Sequence, residues 1–384
     1  MKVLHVIPSL AARTGGPAVA AVEFARVATE RGIESSILAT DAAYPAGTSE
    51  GRAVEEDELV PGADAVMVRL FPVKWPYRLA RSPRLRADVR RSVRSYDVVH
   101  IHSLYLYPQR VAAAAARRRG VPYVVSPHGA LDPWLRRRGR LQKAVANVLW
   151  QRRMLRRAAA LHVTTADEAR LAGGVADGVP RLVVPLGIDW DAFQRLPPPA
   201  DFGGTPVVLS LGRIAAKKGL DVLIRAFAAV AGRFEGARLV LAGPDDEDLR
   251  PELEALAERE GVGGRVVFPG MLHGPEKLAA LAAADVWALP SHTENFGIAV
   301  MEALAAGVAT VISPAVNLAG EIERAGAGLV AEATPEAFAG ALMYLLEDAA
   351  RRAKYAERAR AFARAYDWGA IAPQVVEMYE QVAL

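Results

Sequence analysis

The chain has 384 residues, 52% of them apolar and 23% charged, with no cysteine. That length favours two domains, the composition is that of a globular protein with ample core, and the missing thiols exclude a disulfide framework and thiolate catalysis. The net charge of +4 hides an asymmetry: residues 1–190 hold 29 Lys+Arg against 17 Asp+Glu, and the remainder holds 18 against 26. A balance of +12 beside one of −8 predicts different partners for the two halves.

The first eight residues, Met1 to Pro8, carry an apolar run that is short and broken by His5 and Pro8. They read as a first strand rather than a secretory leader. No window approaches 18 uninterrupted apolar residues, so no membrane span is predicted and the expected location is cytoplasmic. Strand-like runs follow at Val3–Ile7, Ser36–Thr40, Val66–Phe71, Val98–His102, Tyr123–Ser126, His162–Thr165 and Leu182–Leu186. Helical patterns lie between several of them, at Ala18–Glu30, Pro83–Arg94, Tyr107–Arg119 and Gln142–Arg157. This alternation indicates βαβ units and a mostly parallel sheet. The stretch from Leu186 to Pro206 breaks the pattern, with three consecutive prolines and then Gly203-Gly204, and reads as an interdomain linker.

A second series has strands at Val207–Leu211, Leu239–Ala242, Val266–Phe268, Val286–Leu289, Ala309–Ile312 and Gly328–Val330. Its helices are expected at Gly219–Arg233, Leu249–Glu260, Glu276–Ala283 and Glu336–Leu346. The last two helices, Ala350–Ala365 and Ile371–Val382, follow the final strand, and the chain could use them to pack back onto its first half. The expected boundaries are 1–190, joined by about 368–384, and 205–367. Two doubly wound domains of similar size predict a cleft between them, the usual place for a small ligand.

Five stretches sit at the carboxyl ends of these strands, where open α/β sheets bind ligands. Thr14-Gly15-Gly16-Pro17 allows close backbone approach to a phosphate, or is an ordinary βα turn. Ser126-Pro127-His128-Gly129 places His128 at a strand end, as a structural residue or a functional one. His100 and His102 alternate and so face the same way, but no carboxylate or cysteine stands at metal-ligand spacing, and no metal site is expected. Gly212-Arg213 through Lys217-Lys218-Gly219 offers a guanidinium fork and a point charge that suit a diphosphate, or is a solvated basic loop. Asp246-Glu247-Asp248 has the form of a cation-binding triplet; capping of the helix that follows fits it better. The fifth runs from Pro290 to Leu304. Glu294 falls in a loop and Glu302 on the helix behind it, roughly 12 Å apart or less at 1.5 Å per residue. That suits two carboxylates gripping different ends of one long ligand, with the N–H groups of Phe296 and Gly297 toward its phosphates. Capping by Glu294 and solvation of Glu302 fit the bare spacing better.

Taken together, these stretches resemble the retaining glycosyltransferases of family four, with the GT-B fold: α/β, two Rossmann-like doubly wound domains facing across a cleft, the C-terminal helix crossing back to the first. The resemblance rests on the Glu-x7-Glu motif Glu294–Glu302 within Ser-x-Thr-Glu-Asn-Phe-Gly, on Gly15-Gly16, on His128 in Ser-Pro-His-Gly, and on Gly-Arg-x-x-x-Lys-Lys-Gly at 212–219. These occur in the family's order over nearly the whole chain. Gly307-Val308 departs from the common Gly-Xaa-Pro. The resemblance implies transfer of a sugar from a UDP- or GDP-linked donor to a saccharide or lipid-linked hydroxyl, with retained configuration and no metal or other cofactor. The first domain would receive the acceptor and the second the nucleotide sugar.

It also implies roles. Gly15 and Gly16 would meet the distal phosphate, and Arg213 and Lys218 would neutralise the leaving diphosphate. Glu294 and His128 would contact the donor sugar and Glu302 the ribose, with Asn295, Phe296 and Gly297 lining the donor site. The phrase from Ser126 to Trp134, with basic residues after it, is similar to enzymes of surface-polysaccharide assembly. Trp134, Arg136, Arg137 and Arg138 would lie on the acceptor side, and the basic half could touch the inner face of an anionic membrane. No nucleic-acid partner is implied. A nucleotide-sugar epimerase, a dehydrogenase and a non-catalytic binding homologue are the alternatives. The missing GxGxxG disfavours a dinucleotide, and the intact glutamates and cations disfavour loss of catalysis.

Overall fold

A computed structural model describes residues 1–42, 59–137, 140–245 and 247–384. The chain divides into two compact units, Met1–Leu186 with Gly369–Leu384, and Gly187–Trp368.

The first unit is built on β1 (Lys2–Val6), β2 (Glu34–Thr40), β3 (Met67–Phe71), β4 (Val98–His102), β5 (Tyr123–Ser126), β6 (Ala160–Val163) and β7 (Arg181–Val183). They form one sheet in the order β3-β2-β1-β4-β5-β6-β7, parallel throughout. A parallel sheet is covered on both faces, so its central strands are buried at every position, and β4 is. Two of its helices begin at a side-chain cap: Ser82 accepts from the Leu85 N–H ahead of Pro83–Ser92, and Thr165 from the Glu168 N–H ahead of Ala166–Leu171. The C-terminal helix, Trp368–Ala383, joins this unit from Gly369 onward, as the sequence leads one to expect.

The second unit holds β8 (Val207–Leu211), β9 (Arg238–Ala242), β10 (Val266–Gly270), β11 (Val286–Leu289), β12 (Ala309–Ile312) and β13 (Leu329–Val330), in the order β10-β9-β8-β11-β12-β13. All its pairings are parallel. Its order reverses between β8 and β11, the switch point at whose carboxyl edge open α/β sheets bind ligands. Trp287 on β11 is fully buried, and Phe227 and Phe338 anchor the helices that cover the sheet.

Three expectations change. The stretch read as a linker belongs to the second unit: the Ile188 N–H donates to Tyr366 O at 2.8 Å, and the Trp368 N–H donates back to Ile188 O at 3.1 Å. A Cβ on Gly187 would lie 2.3 Å from the Trp368 ring, so this backbone is packed rather than free. Proline content reported the lack of α-helix and strand there, not the lack of packing. The predicted strand at 162–165 ends at Val163, because Thr165 is recruited as a cap. The helix expected over 142–157 runs without a break through Arg140–Ala146 and Arg152–Arg156, but winds as a π-turn at Asn147–Gln151 between them.

Candidate functional site

In the second unit the loops after β8 and β11 are locked to each other. Gly219 has a φ of 65°, and a Cβ there would fall 2.2 Å from Pro290 O. Only glycine permits that approach. The His292 N–H donates to Lys217 O at 2.8 Å. This junction brings Lys218 onto the Glu294 carboxylate, with which it is ion-paired and hydrogen-bonded, and Lys217 to 3.9 Å from the same oxygen. The loop after β12 holds Glu294 from the other side: the Glu294 N–H donates to Ala315 O at 3.0 Å, and the Asn317 N–H donates to Glu294 O at 3.0 Å. The Asn317 side chain donates to Asn295 Oδ1 at 3.2 Å.

Burial alone would raise the pKa of the Glu294 carboxyl. Lys218, then Lys217 and Arg213, outweigh that cost and hold it at about 2. The result is an ionised carboxylate in a cationic nest. Glu302 faces a different cation, Lys277 at 2.6 Å, on the helix Gly274–Ala283. The two glutamates are therefore held by separate elements, which suits their gripping separate parts of a ligand. Gly297, at a φ of 75°, precedes the eight-residue helix Ile298–Ala305, and Phe296 beside it is buried. The helix Arg250–Arg259 is preceded by Asp245, whose carboxylate accepts from the Leu249 and Arg250 N–H groups. Glu247 accepts from the Ala216 N–H, so it too is occupied within the fold. Asp246 lies outside the described residues.

In the first unit five imidazoles share one face of the sheet. His5 on β1 is in register with His100 on β4, and His102 is in register with Ser126 on β5. His162 stands on β6, and His128 follows β5 with a φ of 50°. Phe24 lies edge-on to His162, and Tyr379 of the C-terminal helix reaches His100. Burial pushes His5 and His128 down to about 3 and His162 to about 4, and holds His100 and His102 well below the ordinary range. All five are neutral at pH 7.

Neutrality fixes where the protons of one chain sit. Val184 O only accepts, so His162 Nε2, 2.8 Å away, carries a proton. His162 Nδ1 then accepts from the Ser126 hydroxyl at 2.6 Å. Ser126 Oγ in turn accepts from His100 Nε2 at 2.6 Å, and His100 Nδ1 accepts from the Tyr379 hydroxyl at 2.8 Å. A second chain runs from His5 Nδ1 to His102 Nε2 at 3.1 Å, and from His102 Nδ1 to His128 Nε2 at 3.0 Å. His5, His100 and His102 bring ring nitrogens within 4.8 Å of one another, a spacing open to a metal ion. Five of those six nitrogens already have partners inside the fold, which is the use this structure makes of them.

Of the other expected residues, Gly15 and Gly16 open the helix Gly16–Glu30 after β1, with Gly15 at a φ of 72°. Trp134 lies in the short helix Pro133–Arg137, capped by Asp132 at 2.7 Å. Arg136 and Arg137 belong to that helix, and Arg138 lies outside the described residues. Three participants were not read from the sequence. Lys277 carries no motif around it, and Tyr379 sits in a plain amphipathic helix. Glu168 is buried and accepts from the Gly129 N–H at 2.7 Å and the Thr164 N–H at 2.8 Å, tying the His128 loop to β6. Its sequence signal was Thr-x-x-Glu at a strand end, easily taken for a capping box alone.

Each unit is a doubly wound parallel sheet with its conspicuous residues at strand ends, the form of nucleotide-handling α/β enzymes. Residues 15–187 match the family described as glycosyl transferase 4-like domain, and residues 194–362 match glycosyl transferases group 1. A D-inositol 3-phosphate glycosyltransferase from Xylanimonas cellulosilytica is 32% identical, over 96% of this chain and 92% of the relative. A phosphatidyl-myo-inositol mannosyltransferase from Mycobacterium leprae is 30% identical, over 82% and 83%. Among solved structures, HepE from Anabaena in complex with UDP-glucose superposes with a TM-score of 0.79 at 20% identity, covering 99% of both chains. The chain belongs to the family-four glycosyltransferases of GT-B fold.

Proposed function

We propose that this glycosyltransferase takes its sugar from a nucleotide diphosphate donor and transfers it with retention of configuration, without a metal ion. The observation that carries the proposal is the convergence of Lys218, Lys217 and Arg213 on the buried Glu294 carboxylate. Departure of a nucleoside diphosphate leaves negative charge, and fixed cations aimed at it lower the barrier. In this reading the diphosphate takes over Lys218 and Arg213. Glu294 turns to hydroxyls of the donor sugar, Glu302 binds the ribose hydroxyls, and His128 contacts the sugar. Gly15, Gly16 and the Asn295–Gly297 turn complete the donor site. The bond from the anomeric carbon to the phosphate oxygen breaks while the acceptor oxygen bonds on the same face, and the leaving phosphate takes the acceptor's proton. Glu294 is not assigned a covalent role: in this reading its carboxylate holds hydroxyls of the donor sugar, and no bond forms to it.

Solved structures of the same fold include HepE with UDP-glucose and one described as trehalose-6-phosphate from E. coli bound with UDP-2-fluoro glucose, which supports a UDP-linked donor. Two sequence relatives are named for inositol phosphate and phosphatidylinositol, which supports a polyol or lipid-linked acceptor in glycolipid or polysaccharide assembly. No helix among the described residues is long and apolar enough to cross a membrane. A peripheral contact with the inner face is supported by Val148 (79% exposed) and Leu149 (66%), next to exposed Arg152 and Arg153. A panel of UDP-, GDP- and ADP-sugars, read by thermal shift and donor hydrolysis, tests the donor. One donor should stabilise the protein and be hydrolysed slowly. No shift and no hydrolysis with any of them would overturn the reading.

A further inference from the structure

The chain from His5 through His102 to His128 ends on a residue placed above against the donor sugar, and its proton order has two forms. In one, each Nε2–H donates back toward His5, which leaves the His5 Nε2–H buried with no partner among the described residues. In the other, each Nδ1–H donates forward toward His128, and the orphan is only the His5 Nε2 lone pair. Buried N–H groups without partners are the rarer of the two defects in folded proteins. Either order leaves one proton on each ring, in keeping with five rings packed too closely for charge, so the orphan decides between them. The planes of His5 and His102 differ by 14° with centroids 5.4 Å apart, and those of His102 and His128 by 10° at 5.3 Å, the separation of rings joined end to end through their nitrogens. The three rings are therefore nearly coplanar, as a directional relay requires.

We propose that His102, backed by His5, is a positioning residue that holds His128 in one neutral form with its proton on Nδ1. His128 then offers a fixed N–H donor on the side of its ring away from His102. Such a donor suits a sugar hydroxyl oxygen and spares the ligand the cost of selecting a tautomer. The inference rests on the proposed placement of His128 at the donor sugar, but the proton's position can be read without any substrate.

The test is long-range ¹H–¹⁵N correlation of the imidazoles in the full-length, ¹⁵N-histidine-labelled protein at pH 7.5. His128 should show a protonated Nδ1 and a bare Nε2. His102→Phe should abolish that preference, and His102→Asn, whose amide can stand where Nδ1 stood, should keep it. His5→Phe, which does not touch His128, should loosen the preference and covers the case in which His102→Phe fails to fold. A wild-type His128 protonated on Nε2, or a spectrum unmoved by both phenylalanine variants, overturns the proposal. In parallel, His102→Phe should lower kcat by about tenfold at little changed donor KM, the worth of one neutral hydrogen bond. If the tautomer moves as stated and kcat does not, the sugar-contacting role of His128 fails and the relay stands.

Discussion

Mild acid should destabilise the first unit through its histidines. His5 and His162 are buried, 0% and 1% exposed. Burial holds their pKa values at about 3 and about 4, against 6.5 in an unfolded chain. A group whose pKa is depressed on folding stabilises the fold above its unfolded value and loses that contribution as pH falls toward its folded one. At pH 5.5 the unfolded chain protonates each histidine about tenfold over its neutral form, while the folded chain leaves both neutral. Each then costs about 1.4 kcal/mol, or about 3 kcal/mol for the pair, against a total of roughly 5–15 kcal/mol for a typical domain. His100, His102 and His128 act in the same direction. Hydrogen exchange by mass spectrometry, corrected for the intrinsic pH effect, should show peptides from β4 and β5 opening about a hundredfold more at pH 5.5 than at pH 7.5 from this pair alone, and more with the other three. Peptides from β8 and β11, in the unit without these histidines, should change far less. Equal protection of β4 at both pH values would mean that the imidazoles accept protons in place and that the neutral network is misassigned.

Glu294→Gln should reduce turnover by roughly a hundredfold through the loss of a preorganised charged group, whereas Glu302→Gln should mainly raise donor KM. Lys277→Met should reproduce part of that KM increase, and normal kinetics in all three variants would reject the site. Turnover should survive EDTA, since Lys217, Lys218 and Arg213 supply the positive charge; complete loss restored by Mg²⁺ or Mn²⁺ would reject the metal-free reading. Phosphatidylglycerol vesicles should sediment the protein at low salt and release it at high salt, because each arginine near anionic lipid adds about 1 kcal/mol that screening removes. Replacing Val148 and Leu149 by Ser should weaken this binding, and vesicles that never bind would point to a soluble acceptor.

What the sequence made legible follows its periodicities. β8, β11 and β12 fall where their apolar runs lie, because a strand buried on both faces must be apolar along its length. The alternation of His100 and His102 correctly placed both on one face. Their partners His5 and His162 stand on other strands, and strand order is not written in local pattern. Lys218 was legible as a point charge suited to a diphosphate, in the loop from Gly212 to Gly219. Its pairing with Glu294 was not, because it depends on Gly219 lying against Pro290, a meeting of two loops 71 positions apart. Lys277 and Tyr379 stayed hidden for the same reason: each acts on a residue distant in the chain, and nothing in its neighbourhood marks it.

The most direct test of sugar transfer with retention is ¹H NMR of the reaction as it proceeds, using the α-linked nucleotide sugar selected in the donor panel and an accepted hydroxyl compound. The account predicts a new anomeric signal with the small coupling of an α-gluco or α-galacto linkage, or the matching α shift for a mannosyl product, appearing as the donor signal decays and unaffected by EDTA. A product that first appears as the β anomer would contradict the same-face mechanism and the place given to Glu294 within it.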